Sequence, residues 1–369
     1  MAMPLDSREE NWNSFKTLNT WGAYQCYGDP DYRLMNKGTD LAPSTKKRTY
    51  YAPTELLTDL KNDTAYIRMQ FNDKRETEAE LSNLRQMIDF RLTAIPQDKQ
   101  KAWLDREDVK IAFGLAYGEV RAWDEAIQYL EAALQAGNAE CSVKVMEQLT
   151  NFRVRSASQK WSQFDAVGDE KAQSRCRSDI EKAIKALEPL CEFFPTPERY
   201  SIMGSAYKRL ARMQINKKSP QATLEKMAHH YRQAYEKSGS TDYYSFTNMA
   251  TANWLIKYLG KSSDSDFDAL INDCDRIIAI TQEKNSSNPN FWDSVALADC
   301  ALVKLMLQRE LSKTSANDVI ELYRQAIKRG ASPKQVGSVK EHLEFLMDLT
   351  QSLAQPIQDA LKSIHEALP

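Results

Sequence analysis

Residues 200–236 hold the pattern that most narrows the fold. The run Tyr200-Ser-Ile-Met-Gly-Ser-Ala-Tyr-Lys-Arg-Leu is followed by Met227-Ala-His-His-Tyr-Arg-Gln-Ala-Tyr. Read as a helix, the first segment puts Tyr200, Gly204 and Tyr207 at i, i+4 and i+7, which is one face. Met227, Tyr231 and Ala234 do the same on the second. Bulky, small, bulky on two successive helices lets the axes approach at the small residue while aromatic rings fill the flanking space. This is the packing code of a repeated helix pair.

The code recurs. Phe113, Gly114 and Tyr117 precede Ala126, Leu130 and Ala133, with Asp124 expected as the N-cap and Gly137 as the C-cap. Phe246, Met249 and Ala250 hold the offsets of Tyr200, Met203 and Gly204, and so do Trp292, Val295 and Ala296. The small residues fall at 114, 204, 250 and 296, so the last two steps are equal and the first is close to double. Residues 142–161 and 180–191 supply a degenerate pair inside the long step. Tetratricopeptide repeats have a period of about 34 residues. Here loops at 216–221, 262–266 and 312–316 stretch each unit. The expected fold is all-α, a divergent tetratricopeptide-like solenoid whose concave face is lined by the first helix of each pair.

The flanks differ. A helix could end at 11–16. Trp21, Ala23, Gln25 and Tyr27 then alternate with Gly22, Tyr24 and Cys26 before Gly28-Asp29-Pro30 stops the run, which reads as one short strand. A lone strand needs a sheet to pair with. Residues 35–53, with Gly38, Pro43, Pro53 and Lys46-Lys47-Arg48, read as a linker or exposed loop. A helical hairpin is expected over 54–96, striped by Leu81, Leu84, Ile88 and Leu92. The repeat array takes 97–350, and an amphipathic helix in 351–369 caps its open end.

Composition excludes several functions. The chain has 369 residues, 42% hydrophobic and 27% charged, with a formal net charge of −2. That balance gives no general reason to expect nucleic acid or an acidic membrane as partner. No run approaches the ~18 apolar residues of a membrane span, and no signal-peptide pattern opens the chain. Six scattered cysteines without a C-x-x-C pair fit reduced thiols in the cytoplasm.

Little of the sequence reads as reaction chemistry. His229 and His230 are adjacent, so on a helix they point about 100° apart and do not ligate one ion easily. His342 and His365 stand alone. No nucleophile elbow or phosphate-binding glycine loop is present, so no catalytic residue, metal site or cofactor is expected. The cationic run Lys208-Arg209-Leu-Ala-Arg212 places Lys208 and Arg212 on one helical face. That face suits an acidic peptide, a carboxylate or a phosphate; the more ordinary reading is a solvated helix end whose cations favour the C-terminal dipole. Asn248 and Asn253 are uncommon core residues and are candidate groove contacts. Trp254 joins them as a candidate, although Tyr243, Tyr244, Trp254 and Tyr258 at helical spacing also suit a core.

Two parts of the chain resemble one family. Leu149-Thr-Asn-Phe-Arg-Val-Arg, the segment Thr196-Pro-Glu-Arg-Tyr-Ser-Ile-Met-Gly-Ser-Ala-Tyr-Lys-Arg-Leu-Ala, Asp242-Tyr-Tyr-Ser-Phe-Thr-Asn-Met-Ala-Thr, Phe291-Trp-Asp-Ser-Val-Ala-Leu-Ala-Asp and Arg329-Gly-Ala-Ser-Pro-Lys-Gln-Val-Gly-Ser-Val-Lys-Glu-His-Leu-Glu-Phe-Leu carry the first part, which spans roughly Asp105–Leu349. They resemble the tetratricopeptide-type region of bacterial CHAT-domain proteins, caspase-like peptidases of conflict and cell-death systems. They are distantly similar to the TRAF-binding region of apoptosis-signal-regulating MAP kinase kinase kinases. The strand-like run Asn19-Thr-Trp-Gly-Ala-Tyr-Gln-Cys-Tyr-Gly-Asp-Pro is similar to the terminal strand of a CHAT peptidase domain. The resemblance implies that residues 1–34 finish a preceding CHAT-like domain. The family's catalytic His and Cys precede that strand, so none is carried over and Cys26 is not the nucleophile. The resemblance therefore implies a non-catalytic interaction module working with a CHAT-type peptidase, in the same chain or another, or with a peptide or protein target. The alternative is a sensor that binds a small anionic or nucleotide ligand in the groove.

Overall fold

The structure is a computed structural model that describes residues 49–73, 77–136, 143–215, 220–259, 267–287, 290–351 and 355–369. The expected helix end at 11–16, the strand at 20–27, the Gly137 cap and the loop at 262–266 lie outside the described residues. Among those described, the chain is a run of α-helices. They are α1 (Pro53–Asp73), α2 (Glu78–Thr93), α3 (Gln97–Leu104), α4 (Glu107–Glu119), α5 (Trp123–Gln135), α6 (Val143–Ala166), α7 (Glu170–Phe193) and α8 (Pro197–Arg212). These continue as α9 (Gln221–Lys237), α10 (Tyr243–Leu259), α11 (Asp268–Ser287), α12 (Phe291–Gln308), α13 (Ala316–Lys328), α14 (Pro333–Leu349) and α15 (Gln355–Glu366).

Local chemistry fixes many of the starts. Thr196 accepts from the Arg199 amide with Pro197 at the first helical position of α8. Thr77 with Glu80, and Ser332 with Gln335, form capping boxes ahead of α2 and α14. The Asp124 expectation fails: the α5 N-cap is Ala122, and Asp124 sits in the first turn paired with Lys160 of α6 at 2.7 Å. Within that first turn a carboxylate favours the dipole but is past the cap.

Most successive helices pack against one another, and small residues mark the crossings of α4 with α5 and of α8 with α9. A Cβ built on Gly204 of α8 would lie 2.7 Å from the Tyr231 ring of α9, and one on Gly114 of α4 would lie 2.6 Å from Leu130 of α5. The register slips in the last unit, where Phe291 is buried and Trp292 is 42% exposed. Two apolar cores result. The first runs from Tyr50 through α1–α5 to Phe152, and the second from Val154 to Leu368. Helix α6 gives its first half to one core and its second half to the other.

Tyr50 departs from the linker reading of 35–53. Its ring is buried, its amide bonds to the Ala94 carbonyl at 3.2 Å, and its hydroxyl donates to Asp59 at 2.9 Å. At the other end the array curls far enough for α14 to pack against both α8 and α1. No helix among the described residues is long and apolar enough to cross a membrane.

Candidate functional site

The curl leaves a cavity of about 400 Å³ whose walls come from α6, α8, α10, α12 and α14. Helices α8, α10 and α12 each open a pair in the sequence register, and they line it side by side. Lys208, Arg209 and Arg212 come from α8, Tyr243, Tyr244, Thr247 and Asn248 from α10, and Trp292 and Asp299 from α12. Arg155 enters from α6, and Glu341, His342 and Phe345 from α14.

Lys208 is the floor of this cavity. Its Nζ donates to Asn248 Oδ1 at 2.8 Å, lies 2.7 Å from His342 Nδ1, and stands 5.0 Å from the centre of the Phe345 ring. One amine therefore joins three helices. Enclosure pushes the Lys208 pKa down to about 7; Glu341 opposes that shift, and Arg209 adds to it. The same enclosure, with Lys208 alongside, holds His342 neutral well below the usual imidazole range. Asp299 is displaced the other way: burial raises its carboxyl to about 6, against a 2.6 Å hydrogen bond from the Tyr323 hydroxyl and the pull of Lys208.

Arg209 and Arg212 reach across to α14. Arg209 Nη2 lies 3.2 Å from Glu341 Oε1, Arg212 Nε lies 2.5 Å from Asp348 Oδ2, and Arg212 Nη2 lies 3.5 Å from Glu344 Oε2. They are not a solvated helix end: in this structure they pair with acids more than 130 residues further along the chain. Arg155 is solvent-accessible yet hemmed in by the concave wall. Desolvation, with Arg209 nearby, lowers its pKa. Its Nε donates to Asn151 Oδ1 at 3.1 Å.

Four of the six groove candidates, Lys208, Arg209, Arg212 and Asn248, thus meet at one cavity. The other two do not line it. Asn253 is half-buried and spends its amide on the Met249 carbonyl at 2.9 Å. Trp254 is a core residue, 1% exposed and packed 4.8 Å from Tyr258 between ring centres, and so is corrected from a groove contact. Sequence reasoning passed over Arg155, Trp292, Asp299 and His342. Asp299 carried a signal, as an acid inside the otherwise apolar run Val295-Ala-Leu-Ala-Asp-Cys-Ala-Leu-Val. His342 carried none, because its neighbour Lys208 is 134 residues away.

Residues 122–253, from the start of α5 into α10, match the family model described as Tetratricopeptide Repeats-Sensor. Two solved structures of Nro1 are similar to the chain at a low level. The S. pombe nuclear import adaptor Nro1 is 12% identical with a TM-score of 0.40, over 85% of this chain and 99% of that one. A second, titled as the hypoxic regulator of sterol synthesis and nuclear import adaptor Nro1, is 15% identical with a TM-score of 0.37, over 85% and 94%. No curated protein matches the chain. The fold is an all-helical repeat solenoid, and a tetratricopeptide-type region occupies its middle.

Proposed function

We propose that this chain is a non-catalytic sensor and interaction module whose cavity takes a small anionic ligand, nucleotides included. The observation that carries this is the convergence of Arg155, Lys208, Arg209 and Arg212 with the rings of Tyr243, Tyr244 and Trp292 on one cavity. Guanidiniums bind phosphate and carboxylate bidentately, and exposed aromatic rings offer a stacking surface to a planar base. The name of the matched family supports a sensing role, and the match covers the helices that supply all four cations.

A thermal-shift panel of nucleotides and phosphate esters tests the ligand. A binder at ~100 times its dissociation constant stabilises by ~2.7 kcal/mol, a shift of several degrees. The shift should fall to about half in Arg155→Gln, as a tenfold loss of affinity implies. A panel without any shift would sink the reading.

The ligand signal is read by a protein partner, a CHAT-type caspase-like peptidase domain in cis or in trans, in the cytoplasm of a bacterium under stress or attack. This half rests on the resemblance carried by residues 105–349 and 19–30. Stacked helix pairs offer an extended surface for such a domain. Co-purification tests it: recovery of the chain from its native host with no His/Cys peptidase, fused or associated, removes the partner.

A further inference from the structure

Helix α14 lies along α8 much as an anionic ligand would. Glu341, Glu344 and Asp348 sit at i, i+3 and i+7, one face of α14, and all three point at Arg209 or Arg212. Their side chains are 54%, 43% and 31% exposed. These are rim pairs in contact with water, individually weak and exchangeable. Arg155 is different: no carboxylate pairs with it among the described residues, and its hydrogen bond goes to the neutral Asn151.

The charges around the cavity nearly cancel. Arg155, Lys208, Arg209 and Arg212 face Asp299, Glu341, Glu344 and Asp348. A single anionic group entering such a site exchanges one pair for another and gains little. A molecule with two or more linked anionic groups engages Arg209 and Arg212 together and reaches Arg155, which has no acid to give up. The displaced carboxylates, already half in water, lose little.

We propose that α14 is a built-in competitor for the cavity, and that Glu341, Glu344 and Asp348 restrict its ligand to compounds with two or more linked anionic groups, whose binding frees α14 from α8. This rests on the ligand reading above. Because α14 also packs on α1, its release opens the contact that joins the two ends of the array. That gives the sensor its output.

The test titrates the full chain with inorganic phosphate and with pyrophosphate by calorimetry, in wild type and in the double variant Glu341→Gln, Asp348→Asn. Hydrogen exchange over 333–349 is followed in parallel. Pyrophosphate is expected to bind about tenfold tighter than phosphate. The double variant should bind pyrophosphate about tenfold tighter than wild type does, and pyrophosphate should speed exchange in α14. Wild-type exchange stands alone if the variant folds poorly. Binding to the variant only also supports the proposal, since the competitor then silences the wild type. Pyrophosphate binding that ignores the two substitutions and leaves α14 exchange unchanged or slower overturns the competitor while leaving the ligand site intact. No binding of either anion to either protein overturns both.

Discussion

Arg199 of α8 donates through Nε to Glu147 Oε1 of α6 at 2.6 Å, with both side chains almost fully enclosed. This pair pins two helices that lie 52 residues apart in sequence. Removing one partner strands the other charge in a low-dielectric site, whereas removing both does not. Glu147→Leu is therefore expected to cost ~3–5 kcal/mol. Adding Arg199→Met should return most of that loss. Urea unfolding of the two single variants and the double variant decides it; a single variant no worse than the double means the pair has no desolvation cost to expose.

Gly204 is required by its neighbour. A Cβ there meets ring carbons of Tyr231 at 2.7 and 2.8 Å, and Tyr231 is fully buried and cannot swing away. Gly204→Leu should cost ~1–3 kcal/mol through overpacking, with Gly204→Ala smaller but of the same sign. Gly337 on α14 provides the control, because nothing lies within 4 Å of its would-be Cβ. Gly337→Ala should be stabilising by up to ~1 kcal/mol from helix propensity. Thermal melts that rank the two alanine variants the other way round would contradict the packing.

Arg155→Gln separates binding from folding. The side chain is solvent-accessible and is held by its bond to Asn151. Its loss should leave unfolding free energy within ~0.5 kcal/mol of wild type. Affinity for a nucleotide that shifts the wild-type melt should fall by about tenfold, roughly one charge-assisted hydrogen bond. Equal affinity in the variant would remove Arg155 from the site.

The fold was legible because its determinants are local. Gly204 and Tyr231 announce a helix crossing within one pair, and the periodic recurrence of small residues announces the array. Trp292 shows where that ends: spacing matched it to Phe246, yet Phe291 took the core and left Trp292 on the cavity wall. The cavity itself was only partly legible. Lys208, Arg209 and Arg212 stood out as a charge run, but their partners His342, Glu341 and Asp348 arrive on a helix whose return depends on the summed curvature of the intervening pairs. No local pattern encodes that sum. Trp254 was misread for the complementary reason, since an amphipathic ring at helical spacing gives no sign of which face it takes.

Lys208 should make stability depend on pH in the neutral-to-alkaline range. Its folded pKa of about 7 lies below the ordinary 10.5, so between those values the unfolded chain holds a proton that the folded chain lacks. Stability then rises with pH across that interval, and the contribution is flat below about pH 7, where both states are protonated. The groups facing Nζ give the cause: burial, Arg209 and Arg212 disfavour the ammonium, while Glu341 and Asp299 favour it and do not compensate. Buried tyrosines such as Tyr231 and Tyr323, whose hydroxyls are pushed well up, act in the opposite sense only near pH ~10. Buried thiols already oppose the lysine in this window: burial pushes Cys176, Cys191, Cys274 and Cys300 up, so they lower stability as their unfolded counterparts ionise from about pH 8. The difference between wild type and Lys208→Met in urea unfolding at about pH 7 and about pH 9 cancels the thiols and reads the lysine, and wild type should gain more over that span than the variant. An equal gain in the variant would mean that Lys208 keeps its proton in the folded protein, held by the same Asn248 and His342 acceptors that tie α8 to α10 and α14.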